Sequence, residues 1–86
     1  MKFTDKYEIK EIGNELLLIP IPQSGLKEIL ILNEESYIIY KMLLKGANQD
    51  EIINFFLSNY DVEIAILQND IKALLNTLID KGVVGE

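Results

Sequence analysis

The 86-residue chain contains neither cysteine nor histidine. Without cysteine, no disulfide and no thiolate metal site can hold the fold together. Without either residue, the commonest general base, the imidazole ligand and the thiol nucleophile are all missing. Carboxylates, lysine, tyrosine and serine remain, and no glycine-rich loop is present to cradle a phosphate. The composition therefore argues against an enzyme and implies no metal and no cofactor. Arginine is absent too: the positive charge is eight lysines against fourteen acids, a formal net charge of −6. Arginine makes most bidentate contacts to phosphate and guanine. A chain that lacks it and carries excess negative charge is poorly suited to nucleic acid or to an anionic membrane surface. No stretch of about 18 apolar residues occurs, nor an apolar run behind a basic N-terminal flank. The expectation is a cytoplasmic protein.

What is present is ample apolar material, 49% of the residues, in a length that supports one core and hence one domain over residues 1–86. Residues 6–12 (Lys6-Tyr7-Glu8-Ile9-Lys10-Glu11-Ile12) begin by alternating polar and apolar, the period of a half-buried strand. Gly13-Asn14 offers a tight reversal, because both residues tolerate positive φ. Leu16 to Ile19 reads as a second strand, ended by Pro20 and Pro22, which cannot donate ladder hydrogen bonds. After the loop Gln23-Ser24-Gly25, the run Ile29-Leu30-Ile31-Leu32 reads as a third strand.

Beyond Leu32 the period changes to 3.6. Asn33 is a good N-cap with Glu34 and Glu35 in the first turn, where the helix dipole favours acids. Ile38, Ile39, Met42 and Leu43 form the expected core stripe, and Gly46 suits the left-handed position past the C-terminus. Asn48 with Glu51 predicts a capping box at the start of a second helix. Its buried face is expected at Ile52, Phe56 and Leu57, closed by Tyr60. A third helix is predicted over about 63–81, with Leu67, Ile71, Leu74, Leu75 and Leu78 as its core stripe. Gly82 follows it, with Val83 packing back as in a Schellman motif. Three strands before three helices (βββααα) argue for an α+β domain. The arrangement expected is a three-stranded antiparallel sheet against three helices, winged helix-turn-helix-like.

The ordered set Leu32-Asn33, Gly46, Glu51-Ile52, Tyr60-Asp61-Val62, Asp70-Ile71, Leu74, Leu78 and Gly82-Val83-Val84 resembles the PqqD family. That family is also known as the recognition element of ribosomally made, post-translationally modified peptides. The resemblance covers residues 7–84. It implies a module without catalytic activity, which binds the leader segment of a precursor peptide and delivers it to a modifying enzyme. That enzyme would be a radical SAM protein, a cyclase or a protease. It further implies that the leader joins the sheet beside the third strand, with its side chains against the third helix. In that mode backbone hydrogen bonds give affinity and side-chain pockets give register. Three features depart from the family pattern. Tyr40 stands where tryptophan is usual, the loop Pro20 to Lys27 is long, and Ile31, Ile64 and Ile66 occupy commonly polar positions.

The candidate contacts are therefore Lys27, Glu28, Ile29, Leu30, Ile31 and Leu32 on the strand. On the helix they are Ile64, Leu67, Asp70, Ile71, Leu74, Leu75 and Leu78. If Leu30 and Leu32 face the core, the pleat turns Ile29 and Ile31 outward. Either another segment of the chain covers that pair, or it lines a partner surface. On the helix, Ile71, Leu74 and Leu78 are core residues first, whereas the onset Ile64-Ala65-Ile66 is apolar where a solvated helix would carry charge. Asp70 is either a solvated acid or a partner for a basic leader residue. Three other functions fit the chain less well. A winged-helix DNA-binding protein would place six acids (Asp50, Glu51, Asp61, Glu63, Asp70, Asp80) against Lys72 and Lys81 in its helix-turn-helix, which repels phosphate. An acidic carrier protein should be all-helical, with an Asp-Ser-Leu attachment site. A structural adaptor is compatible with the leader-binding role, and an open strand edge permits a homodimer.

Overall fold

Both periodicities reappear in the computed structural model, which describes residues 2–85. Its elements are β1 (Lys2–Phe3), β2 (Tyr7–Ile12), β3 (Glu15–Pro20), β4 (Leu30–Leu32), α1 (Glu34–Leu44), α2 (Gln49–Asn59), α3 (Ile64–Asp80) and β5 (Val84–Gly85). Strands β2, β3 and β4 form an antiparallel sheet in that order, and the three helices follow, so the domain is α+β with the expected βββααα series.

The hairpin register sets the two faces of the sheet. Leu16 pairs with Leu32 and Leu18 with Leu30, and all four side chains are buried. The pair between them, Leu17 and Ile31, lies on the opposite face. Of the two turn residues joining β2 and β3, only Gly13 takes positive φ (59°). Hairpins with glycine at the first central position use it in this way. The long connection from β3 to β4 is not slack. A short 3₁₀ turn (Pro22–Ser24) organises it, with Ser24 Oγ donating to the Ile21 carbonyl at 2.8 Å and accepting from Leu26 N–H at 3.1 Å.

The helix ends carry the expected chemistry. Asn33 Oδ1 accepts from Ser36 N–H at 2.9 Å. Asn48 and Glu51 make the reciprocal capping box, at 2.9 and 3.0 Å. Past α3, Gly82 (φ 74°) lets its own N–H reach the Ile79 carbonyl and that of Val83 reach the Leu78 carbonyl, a Schellman motif. The helices bury Ile39, Tyr40, Ile52, Ile53, Phe56, Leu67, Ile71, Leu74 and Leu78 against the sheet leucines.

Two expectations about the core are corrected. In α1 the fully buried pair is Ile39 and Tyr40, while Ile38, Met42 and Leu43 are half-buried. Tyr40 goes under because Phe3 packs edge-on against its ring, with centroids 5.5 Å apart. In α2 Leu57 is 43% exposed. The buried stripe runs through Ile52, Ile53 and Phe56, and Leu57 stands well off its centre. Tyr60 is also exposed, although its ring lies 5.3 Å from that of Phe56.

The terminal strands were not anticipated, since two residues carry no period. Lys2 pairs with Gly85 and Phe3 with Val84, antiparallel. Thr4 extends this clamp: its N–H donates to the Val83 carbonyl at 2.9 Å and its hydroxyl to the Gly82 carbonyl at 2.6 Å. Tyr7 OH adds a bond to the Lys81 carbonyl at 2.6 Å. The carbonyls of Lys81, Gly82 and Val83, in the turn that follows α3, are thus bonded by the other end of the chain. Replacing the Thr4 hydroxyl (Thr4→Val) should cost about 1 kcal/mol in urea unfolding, the net worth of one such bond. It should also speed amide exchange at residues 82–85; unchanged stability and exchange would show the clamp to be passive.

Candidate functional site

The site begins with what β4 leaves unpaired. In an antiparallel ladder, alternate residues turn their N–H and C=O groups to opposite sides. β4 pairs with β3 on one side, and no strand among the described residues lies on the other. Its outward groups therefore offer an extended chain a template. Helix α3 runs antiparallel to β4 alongside it. At one end Lys81 Nζ meets Glu28 Oε1 at 2.6 Å, an exposed pair that pushes the Lys81 pKa up through a charged hydrogen bond. Toward the other end, α3 and the strand-to-helix junction enclose a groove of about 370 Å³. Leu32, Asn33, Glu35 and Ser36 form one wall; Asp70, Ala73, Leu74 and Thr77 form the other. Asp70, Ala73, Leu74 and Thr77 recur at helical spacing on one side of α3, and Ile66 continues the same line.

A second cavity of about 380 Å³ lies around the N-terminus of α1, lined by Ile38, Phe56, Tyr60 and Val62 among others. It shares Asn33 and Glu35 with the groove as wall residues. It does not border β4, and its walls offer no unpaired strand. The groove beside β4 is the one that joins side-chain space to open backbone.

The groove is electrostatically uneven. Glu35 and Asp70 are both half-buried and face each other across it. Burial comes first in raising the Glu35 pKa above the ordinary 4.5, followed by a hydrogen bond with Asp70 and repulsion from it. The contrast is Glu11, whose pKa is lowered by its hydrogen bond to Lys41, 2.8 Å away.

The sequence candidates fall into distinct places. Lys27 and Glu28 are exposed on the approach to β4. Leu30 and Leu32 are buried, with Leu32 also at the groove wall, and Ile29 and Ile31 point outward, 51% and 63% exposed. Among the described residues no segment covers that pair, which removes the alternative of burial there. Asp70 and Leu74 line the groove, whereas Leu67, Ile71 and Leu78 are core. Ile64 is exposed and Leu75 half-buried on the far side of the core stripe from Ala73 and Thr77. The residues not anticipated are Asn33, Glu35, Ser36, Ala73 and Thr77. The line Asp70, Ala73, Thr77, small or polar next to an all-aliphatic stripe, was the available signal for three residues of the helix wall.

Residues 21–84 match the family described as coenzyme PQQ synthesis protein D (PqqD). Two solved structures share the fold. TbiB1, solved in complex with the TbiA(beta) leader peptide, superposes with a TM-score of 0.80 at 21% identity, over 98% of this chain and 94% of that one. Lasso peptide synthetase B1, solved with its leader peptide, gives 0.84 at 22% identity, over 99% and 96%. No curated protein matches the chain.

Because the Glu35 pKa is raised in the fold, the native state holds a proton that the unfolded chain releases near 4.5. Stability is then lost as pH rises through and above that value. Glu35→Gln should therefore be more stable than the parent at pH 7, and the gap should close in acid below the ordinary glutamate pKa. Urea midpoints at pH 7 and pH 3 check this; a parent more stable at pH 7 would contradict it.

Proposed function

The chain belongs to the PqqD family, and on that premise we propose that it binds the leader segment of a precursor peptide as a strand added to β4. The observation that carries the reading is the unpaired edge of β4 beside the α3 groove. Family membership places the binding of precursor peptides within reach of the fold, and both solved neighbours were captured with leader peptides.

The pieces act in sequence. Burial of Leu30 and Leu32 fixes β4 so that its outer edge is held ready before a peptide arrives. An incoming strand gains backbone bonds worth about 0.5–1.5 kcal/mol each. Its side chains then alternate between the α3 groove and the outer face at Ile29 and Ile31. One apolar anchor buried there contributes about 1.5–3 kcal/mol. A few bonds and two anchors reach about micromolar affinity once the ordering cost of the peptide is subtracted.

The rest of the surface suits delivery rather than chemistry. Binding and presentation need no catalytic group, and the modifying partner (a radical SAM protein, a cyclase or a protease) would supply the reaction. The second open edge, β2, is the competing position. Helix α1 meets it through the Lys41–Glu11 pair, but it lies outside residues 21–84 and the groove lined by α3 does not reach it. No described helix is long and apolar enough to cross a membrane. Docking on DNA through α2 and α3 is opposed by their acids, and two copies paired through β4 would compete with the leader for the same edge.

Ala73 is exposed on the groove wall, so Ala73→Phe fills the space without touching the core. With a synthetic leader peptide that the parent binds, calorimetry should show at least about tenfold weaker binding. Unfolding should stay within about 0.5 kcal/mol of the parent. Full affinity in the filled groove would sink the assignment.

A further inference from the structure

The two groove acids remain without a role in strand addition as such. Neither Glu35 nor Asp70 joins an ion pair among the described residues; the two pairs formed are Lys41 with Glu11 and Lys81 with Glu28. No lysine lines the groove. Lys72, although close to Asp70 in sequence, lies on the other side of α3. Two half-buried carboxyls thus face one another with no counter-charge from the chain. The rest of the lining mixes the apolar Leu32, Ala73 and Leu74 with the uncharged polar Asn33, Ser36 and Thr77.

We propose that the leader carries a lysine or arginine at the position facing this groove, its cationic head held between the carboxylates of Glu35 and Asp70. The inference rests on strand addition at β4 and names the residue class that this site selects. The fit is one of charge and shape together. A lysine or arginine stem is aliphatic and covers Leu32, Ala73 and Leu74, while its head reaches the acids. Arginine presents several donors to two carboxylates at once, and a half-buried pair is screened less than a surface one. The raised pKa of Glu35 agrees with a site that lacks its cation.

The pleat then extends the preference to neighbouring positions. A residue adjacent to the basic one points to the opposite face, where Ile31 and Ile29 are exposed. The leader motif is therefore a cation at the groove position, flanked in sequence by aliphatic residues that cover these isoleucines. A peptide with an acid at the groove position is rejected, because a third carboxylate would enter beside two unpaired ones.

The test is selection from a displayed library of random 12-residue peptides, on the parent and on the double variant Glu35→Gln/Asp70→Asn. Both substitutions are isosteric and remove repulsion, and urea unfolding checks that the fold is kept. Bound peptides are then mapped by amide chemical shifts. The expected result is that parent-selected peptides move the amides of β4 and carry Lys or Arg at one fixed position, which the double variant does not enrich. A selected peptide should bind the double variant about tenfold more weakly than the parent. Its norleucine analogue at that position should bind both proteins equally. Peptides that move β4 amides but have no fixed basic position would overturn this inference and leave strand addition standing. Peptides that leave β4 unmoved, or a library yielding no binder, would overturn strand addition and this inference with it.

Discussion

Leu30 and Leu32 enter the core opposite Leu18 and Leu16, and the site depends on this insertion. A strand of three residues is too short to be held by its ladder bonds alone. Two buried leucines each supply up to about 1.5–3 kcal/mol and fix the register, because a shift of one residue would bury Ile31 and expose both leucines. Once the register is set, the outward backbone groups and the outward isoleucines follow from the pleat. The same insertion brings Leu32 to the start of α1, so the cap at Asn33 and the acid at Glu35 arrive at the groove together.

An open edge is usually a hazard that proteins blunt with charge, proline or brevity. Here brevity is the device. β4 is three residues long, and its far end is flanked by the Glu28–Lys81 pair. That leaves enough template for a short peptide and little for a growing aggregate. The clamp of β1 on β5, with Thr4 and Tyr7 on the carbonyls of the turn that follows α3, holds the C-terminal end of the groove's helix wall. Distant parts of the chain therefore stabilise the geometry on which recognition depends.

Much of this architecture was legible in the residues, for local reasons. Asn33, Asn48 with Glu51, Gly46 and Gly82 act on backbone groups within a few positions of themselves, so their roles could be read directly. The facing of Leu30 and Leu32 against Ile29 and Ile31 follows from a period of two. What escaped was tertiary. Strands of two residues have no period, so the pairing of Phe3 with Val84 and the burial of Tyr40 beneath Phe3 left no trace in the sequence. Glu35 reads as an ordinary first-turn acid, and only the packing of α1 against α3 sets it opposite Asp70. Leu67, Ile71 and Leu78 look the same as groove residues until the helix is docked, and then they are core.

Strand addition at β4 is decided by which backbone an arriving peptide completes. Amide hydrogen exchange, residue by residue, with and without saturating leader peptide, reads this directly. The structure predicts that protection rises at alternate residues of the 29–32 segment, whose N–H groups point away from β3, while β2 (Tyr7–Ile12) exchanges as before. Protection gained along β2, or unchanged exchange throughout 29–32 in the bound state, would contradict it.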